Sequence, residues 1–180
     1  MRIHRINLAR YWLGELGFTL IEILIVVVIL GVLGAVVLPR FSDASAQTRE
    51  TTLKDDLRYV RTQIIVFKAH HGNIAPGYPS GRPSASPTEQ DFLLQTTGTT
   101  DEFCNIIKQQ TDKRFGPYLK KMPVNPLNGR STILIVPNGS SMLPAGLPDN
   151  STGWIYKPQT LELIPNSTGN DSEGNPYVEY

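Results

Sequence analysis

The chain has 180 residues, a formal net charge of +1 and a single cysteine, Cys104. Its length allows one main domain with an appended element, and its near-neutral charge gives no basic surface for nucleic acid. A lone cysteine excludes an intramolecular disulfide and leaves Cys104 as a small buried apolar residue. Walker A, dinucleotide-binding, HExxH and GxSxG patterns are missing, and His70 and His71 have no cysteine or further histidine nearby in sequence. Neither catalysis nor a transition-metal site is therefore expected.

Residues 1–17 carry three arginines ahead of a long apolar run. The positive-inside tendency keeps them cytoplasmic and sends the rest of the chain across the membrane. From 18 to 38 the only charge is Glu22. About 20 apolar residues cross a bilayer as a helix, so 18–39 is predicted to span. A carboxylate inside such a helix costs roughly 2.5–3.5 kcal/mol, and no Lys, Arg or His lies in the run to pair with it. A cut between Gly17 and Phe18 would supply a partner, the new α-ammonium of Phe18, one helical turn from Glu22. A carboxylate is favourable at that end of a helix. It could serve its own chain or a neighbour at the same depth; in the second case Glu22 pins the register between chains.

An ordinary secretory signal is the competing reading, since Ala44-Ser45-Ala46 is an A-x-A-like cleavage site. Against it, the apolar run exceeds the usual length of roughly 7–15 residues, and Glu22 is left without a role. Gly31, Gly34 and Ala35 are small enough for close helix approach or are lipid-facing filler. Pro39 removes a backbone donor and is predicted to kink or loosen the helix.

Beyond the run the helix changes character. Leu53, Leu57, Val60, Ile64 and Phe67 recur at steps of four and three, the stripe of a helix packed on a soluble core. Arg49, Lys54, Asp55, Arg58 and Arg61 fall on the other faces, for solvation and helix pairs or for subunit contacts. Gly72 supplies a stop. Residues 73–87 are loop, Thr88 caps a short helix bearing Phe92, Leu93 and Leu94, and a second short helix is predicted over 101–108 with Phe103, Ile106 and Ile107 inward. Residues 131–136 read as a strand, and 153–157 with 160–164 as a hairpin turning near Pro158 and Gln159. Trp154 and Tyr156 read as packing residues.

The expected fold is α+β: a long N-terminal helix, half transmembrane and half soluble, packed on a small three-stranded antiparallel sheet. Its parts are a leader at 1–17, the spanning helix at 18–39 and the soluble half at 40–72. Loops and short helices at 73–130, the sheet at 131–165 and a polar tail at 166–180 follow.

A basic leader, Gly17, Phe18-Thr19-Leu20-Ile21-Glu22 and a long apolar run resemble the class III signal of type IV pilins and type II secretion pseudopilins. Pro39 stands where that family's helix commonly carries a proline. The resemblance implies that a prepilin peptidase cuts after Gly17 and N-methylates Phe18. It also implies that Glu22 pairs with a neighbouring subunit's N-terminus, and that the helix unwinds around Pro39 in the filament. The stretches Gly116-Pro117-Tyr118-Leu119-Lys120-Lys121-Met122-Pro123 and Asn125-Pro126-Leu127-Asn128-Gly129 resemble a connection of the major pseudopilins, which favours a secretion pseudopilin over a generic pilin.

What the resemblance implies is a structural subunit that polymerises through its N-terminal helix to drive type II secretion. Its partners would be further copies of itself, minor pseudopilins, the prepilin peptidase, and an inner-membrane assembly platform with its ATPase. It would sit in the bacterial inner membrane by a single pass, with its C-terminal domain periplasmic. The alternative is a type IV pilin of a surface fibre for adhesion, motility or DNA uptake, although the lone cysteine disfavours the disulfide-bounded loop of many such pilins. A membrane-anchored enzyme is a third reading, without a catalytic constellation to support it. Major pseudopilins often bind calcium in a loop after the sheet; here Asp171, Ser172 and Glu173, with Asn166 or Asn170, could supply oxygens. Two carboxylates are few for a site of 6–8 oxygens, and a polar, turn-rich tail is the other reading.

Overall fold

The computed structural model describes residues 17–107 and 114–180, leaving aside the side chains of 36–43. The leader at 1–16 lies outside the described residues. Two units divide the chain, Met1–Asp43 and Ala44–Tyr180. One helix, α1 (Leu20–His70), contributes to both and continues as helix through Pro39.

From Ile23 to Ala35 α1 is apolar on every face, and the large side chains from Leu20 to Leu33 are all exposed. Among the described residues no helix is long and apolar enough to cross a membrane. The apolar part of α1 whose side chains are described ends at 35, before the end of the stretch read as a span.

In the second unit the periodic stripe does what its spacing requires. Leu53, Leu57, Val60 and Ile64 are fully buried against Phe92, Leu119, Met122, Ile133, Trp154, Tyr156 and Leu163. Each such side chain contributes about 1.5–3 kcal/mol by leaving water. Phe67 closes the end of the stripe with Tyr118 and Cys104. Burial pushes the Cys104 thiol up to about 11, so it stays protonated and acts as the small apolar residue expected of it. The helix ends as predicted: Gly72 takes φ 60°, and the Asn73 N–H donates to the Lys68 carbonyl at 3.0 Å.

A second helix, α2 (Glu89–Thr97), starts at Thr88, whose hydroxyl accepts from the Asp91 N–H at 3.0 Å. The helix expected over 101–108 does not form in its described part. Asp101 Oδ1 accepts instead from the N–H groups of Phe103 (2.9 Å) and Asn105 (2.8 Å), and Cys104 adopts φ 63°. An aspartate that bonds the backbone two and four residues on offers it a turn in place of a helix. Phe103 consequently points outward, 64% exposed.

Strands β1 (Ile133–Ile135), β2 (Trp154–Lys157) and β3 (Glu162–Pro165) form one sheet in that order. The β2–β3 hairpin is antiparallel, pairing Ile155 with Ile164, but β1 runs parallel to β2, pairing Leu134 with Ile155. The sheet is thus mixed, where an antiparallel one was expected. Parallel neighbours need a crossover of a dozen or more residues, and residues 136–153 provide it. Alternation sends Ile133, Trp154, Tyr156 and Leu163 towards α1. Ile155 and Ile164 face the other way, under Met142, Leu147 and Val178.

The Asn125-Pro-Leu-Asn-Gly turn clamps this arrangement. Asn125 is buried and donates through Nδ2 to the Gly153 carbonyl (2.7 Å) and Ser167 Oγ (2.9 Å). Asn128 donates to the carbonyls of Thr152 and Asn166, each at 2.9 Å. Gly153 lies so close that a Cβ there would stand 2.2 Å from the Arg130 carbonyl oxygen.

Two buried groups give measurable consequences. His71 is fully buried; its Nδ1–H donates to the Phe67 carbonyl (2.7 Å), and Nε2 accepts from the Thr100 hydroxyl (2.9 Å). Burial holds it below the ordinary histidine range, so the unfolded chain takes up the proton first as pH falls. The thermal midpoint is therefore expected to be level above about pH 6.5 and to decline below it. A midpoint that stays level well below that pH would mean that His71 charges inside the fold at no cost. Among the described residues, Tyr156 Oη is buried without a hydrogen-bond partner. Tyr156→Phe should raise stability by about 1 kcal/mol in a denaturant titration, and a loss of that size would reveal a hidden partner.

Candidate processing and assembly site

The residues around the expected cut lie in the first unit. Gly17, Phe18 and Thr19 precede α1 in non-helical backbone, and Phe18 is 80% exposed. Nothing among the described residues approaches within 4 Å of where a Gly17 side chain would be.

Glu22 bends back to the start of its own helix. Its Oε2 accepts from the Thr19 N–H at 2.8 Å and from the Thr19 hydroxyl at 2.7 Å, while the Thr19 Oγ1 accepts from the Glu22 N–H at 3.3 Å. Together these make a capping box, in which first-turn donors that a helix cannot satisfy internally are met reciprocally. Charge matching along the apolar run assigns Glu22 to a terminal ammonium and overlooks Thr19. The T-x-x-E spacing of Thr19 and Glu22 is the signal that points to the box.

The geometry brings Phe18, Thr19 and Glu22 together and leaves Pro39 apart, its side chain among those not described. Gly31 and Gly34 have nothing within 4 Å of a built Cβ, so this face of α1 can accept a closely packed neighbour.

The proposed calcium ligands do not assemble as a cation site. Asn166 is committed elsewhere: its Oδ1 accepts from the Asp149 N–H, and its Nδ2 donates to Asp149 and Thr152. Ser172 donates to Glu50 through both its N–H and its hydroxyl. The Asp171 carboxylate is ringed by N–H and O–H donors, whereas calcium needs oxygen lone pairs. No group of three or more His, Cys, Asp or Glu among the described residues could hold a metal ion.

Comparison with known proteins places these observations. The prokaryotic N-terminal methylation motif matches residues 13–38, bracketing the Gly17–Phe18 bond and Glu22. The chain is 34% identical over 110 residues to type II secretion system core protein G of Pseudomonas aeruginosa, covering 61% of this chain and 66% of that protein. It is 34% identical to fimbrial protein Q of Moraxella bovis, over 48% of this chain and 52% of that one. It is 30% identical to the major component of a type IV narrow pilus of Thermus thermophilus, over 49% of this chain and 78% of that one. The chain thus spans somewhat under two thirds of the secretion protein and about half of the fimbrial protein. No solved structure matches it.

The capping box has its own test. Thr19→Val removes the hydroxyl that joins the box and should cost the helix end about 1 kcal/mol. In micelles this appears as faster amide exchange at residues 20–23, with Thr19→Ser retaining the slow rates. Equal exchange in the valine variant would mean that Thr19 does not hold Glu22.

Proposed function

This chain belongs to the type IV pilin and pseudopilin family, and from that premise we propose that it is the structural subunit of a type II secretion pseudopilus. The observation that carries the proposal is the 110-residue match to the secretion core protein. A match of that length exceeds everything up to the end of α1 at His70, so it takes in part of the domain beyond the methylation motif.

In this reading a prepilin peptidase cuts between Gly17 and Phe18 and methylates the new terminal nitrogen. The α-ammonium so created stands one residue before Thr19, within reach of carboxylates at the same depth. Glu22 then exchanges its internal partner, Thr19, for the N-terminus of a neighbouring copy. An ammonium cancels the carboxylate's charge, which the Thr19 donors do not, and in lipid an uncompensated charge is expensive, so the exchange fixes the register between copies. The apolar surface of α1 supplies the anchor before assembly and the inter-helix contact after it. The domain beyond 43 is periplasmic, and the chain is carried in the inner membrane by a single pass. Minor pseudopilins, the assembly platform and its ATPase are the partners this function needs; the chain itself has no catalytic role.

A second reading has its own support. The match to the narrow-pilus component covers 78% of that protein, which favours a surface fibre built on the same anchoring and processing steps.

Mass spectrometry of the protein from its native membrane is the first check on processing. A chain beginning at N-methylated Phe18 is expected; a start at Gln47 would mean an ordinary secretory signal and no role for Glu22. In the same strain, Glu22→Ala should leave insertion intact and abolish crosslinked ladders, and deletion of the gene should retain exported proteins inside the cell. Loss of surface fibres with normal export would select the pilus reading instead.

A further inference from the structure

The segment after β3 looks polar and unattached in sequence, yet it is tied to α1 at three positions. Glu50, buried on α1, accepts from the Ser172 N–H (3.0 Å), the Ser172 hydroxyl (2.9 Å) and the Tyr177 hydroxyl (3.5 Å). Lys54 holds its ammonium 4.3 Å from the centre of the Tyr180 ring, a distance at which a cation is attracted to the ring face. Arg61 donates to the Tyr180 carbonyl, and also to the Leu163 carbonyl of β3 through Nε (3.0 Å) and Nη2 (2.6 Å). Glu50, Lys54, Leu57 and Arg61 follow one another at i, i+4, i+7 and i+11, which is one face of a helix.

At the centre of the segment stands Asp171, also buried. Its Oδ1 accepts from the N–H groups of Glu173 (2.9 Å) and Asn175 (2.8 Å). Its Oδ2 accepts from the Asn175 side-chain amide (3.1 Å) and the Tyr180 hydroxyl (2.7 Å). A carboxylate offers about four lone-pair sites, and all are used. The positive ends of four dipoles already converge where a cation would have to sit, and N–H groups cannot become ligands of a hard ion. The Tyr180 hydroxyl, followed by the Asn175 amides, holds Asp171 well below the usual carboxylate range, so its contribution to stability is full above about pH 4 and fades as the pH falls further.

We propose that residues 171–180 are closed onto α1 by this network of protein donors in place of a divalent cation, so that the fold of the subunit, and assembly built on it, does not depend on calcium. Two donors carry the substitution: the Tyr180 hydroxyl on Asp171, and the Ser172 N–H and hydroxyl pair on Glu50. The proposal holds equally for a secretion filament and for a surface fibre.

The test is thermal unfolding of the full chain in detergent micelles, followed by near-ultraviolet dichroism, with excess chelator and with millimolar calcium. A cation bound at a hundredfold over its dissociation constant would raise the midpoint by roughly 5–10 °C. The same midpoint is expected in both solutions, with no stoichiometric uptake in equilibrium dialysis against calcium. Tyr180→Phe and Glu50→Gln should each lower the midpoint by several degrees, to the same extent with chelator as with calcium. A midpoint that rises with calcium in the unaltered chain, or one ion taken up per chain, overturns the proposal. So do variants that leave the midpoint unchanged, because the network would then not be what closes the segment. If either variant fails to fold, the comparison on the unaltered chain still decides.

Discussion

Burial of one stripe of α1 is the constraint on which the second unit rests. Leu53, Leu57, Val60 and Ile64 are fully removed from water, and no strand of the sheet is longer than four residues. A three-stranded sheet this small has too little apolar surface to stand alone and needs a helix to cover one face. The helix in turn has no other way to hide its stripe. The two faces of the sheet divide by the same need. With β2 in the middle, alternation places Trp154 and Tyr156 on the helix side and Ile155 on the other, where the crossover and the 3₁₀ turn at Tyr177–Glu179 cover it.

Polar side chains then fix what apolar burial leaves free. Hydrophobic contact is not directional, so it does not by itself decide how the loops at 123–130, 149–153 and 166–168 fit together. Asn125, Asn128 and Asn166 decide it, each bridging backbone or side chains from two of these segments. The stretch whose residue order resembles the major pseudopilins is therefore a structural clamp. Its asparagines are buried or half-buried because a side-chain amide can donate and accept at once.

The first unit obeys a different logic. Over its described side chains, from 20 to 35, its helix has no stripe, only an apolar surface interrupted by one carboxylate, and that carboxylate is satisfied within its own first turn. In the proposed filament the intersubunit pair would replace the capping box at the same carboxylate. In the single chain, then, Glu22 is not left without hydrogen-bond partners, which lessens the cost of a carboxylate in an apolar run.

Periodicity and local chemistry were enough to read from the sequence the helix stripe, the Thr88 cap, the stop at Gly72, the hairpin and the burial of Cys104, Trp154 and Tyr156. These features depend on neighbours a few residues away. The residue order from Gly17 to Glu22 resembles the class III signal, and that resemblance pointed to the family. Three matters were decided only by the tertiary structure. The direction of β1 depends on how an 18-residue crossover between β1 and β2 returns, and composition does not encode that path. The turn in place of a helix at 101–107 depended on whether Asp101 bonded to solvent or to the backbone following it. Lys54 and Arg61 read as solvated charges and Glu50 drew no notice, because their partners, Ser172, Tyr177 and Tyr180, lie more than a hundred residues further along the chain. A pairing across that separation exists only once the sheet has folded against the helix and brought the two together.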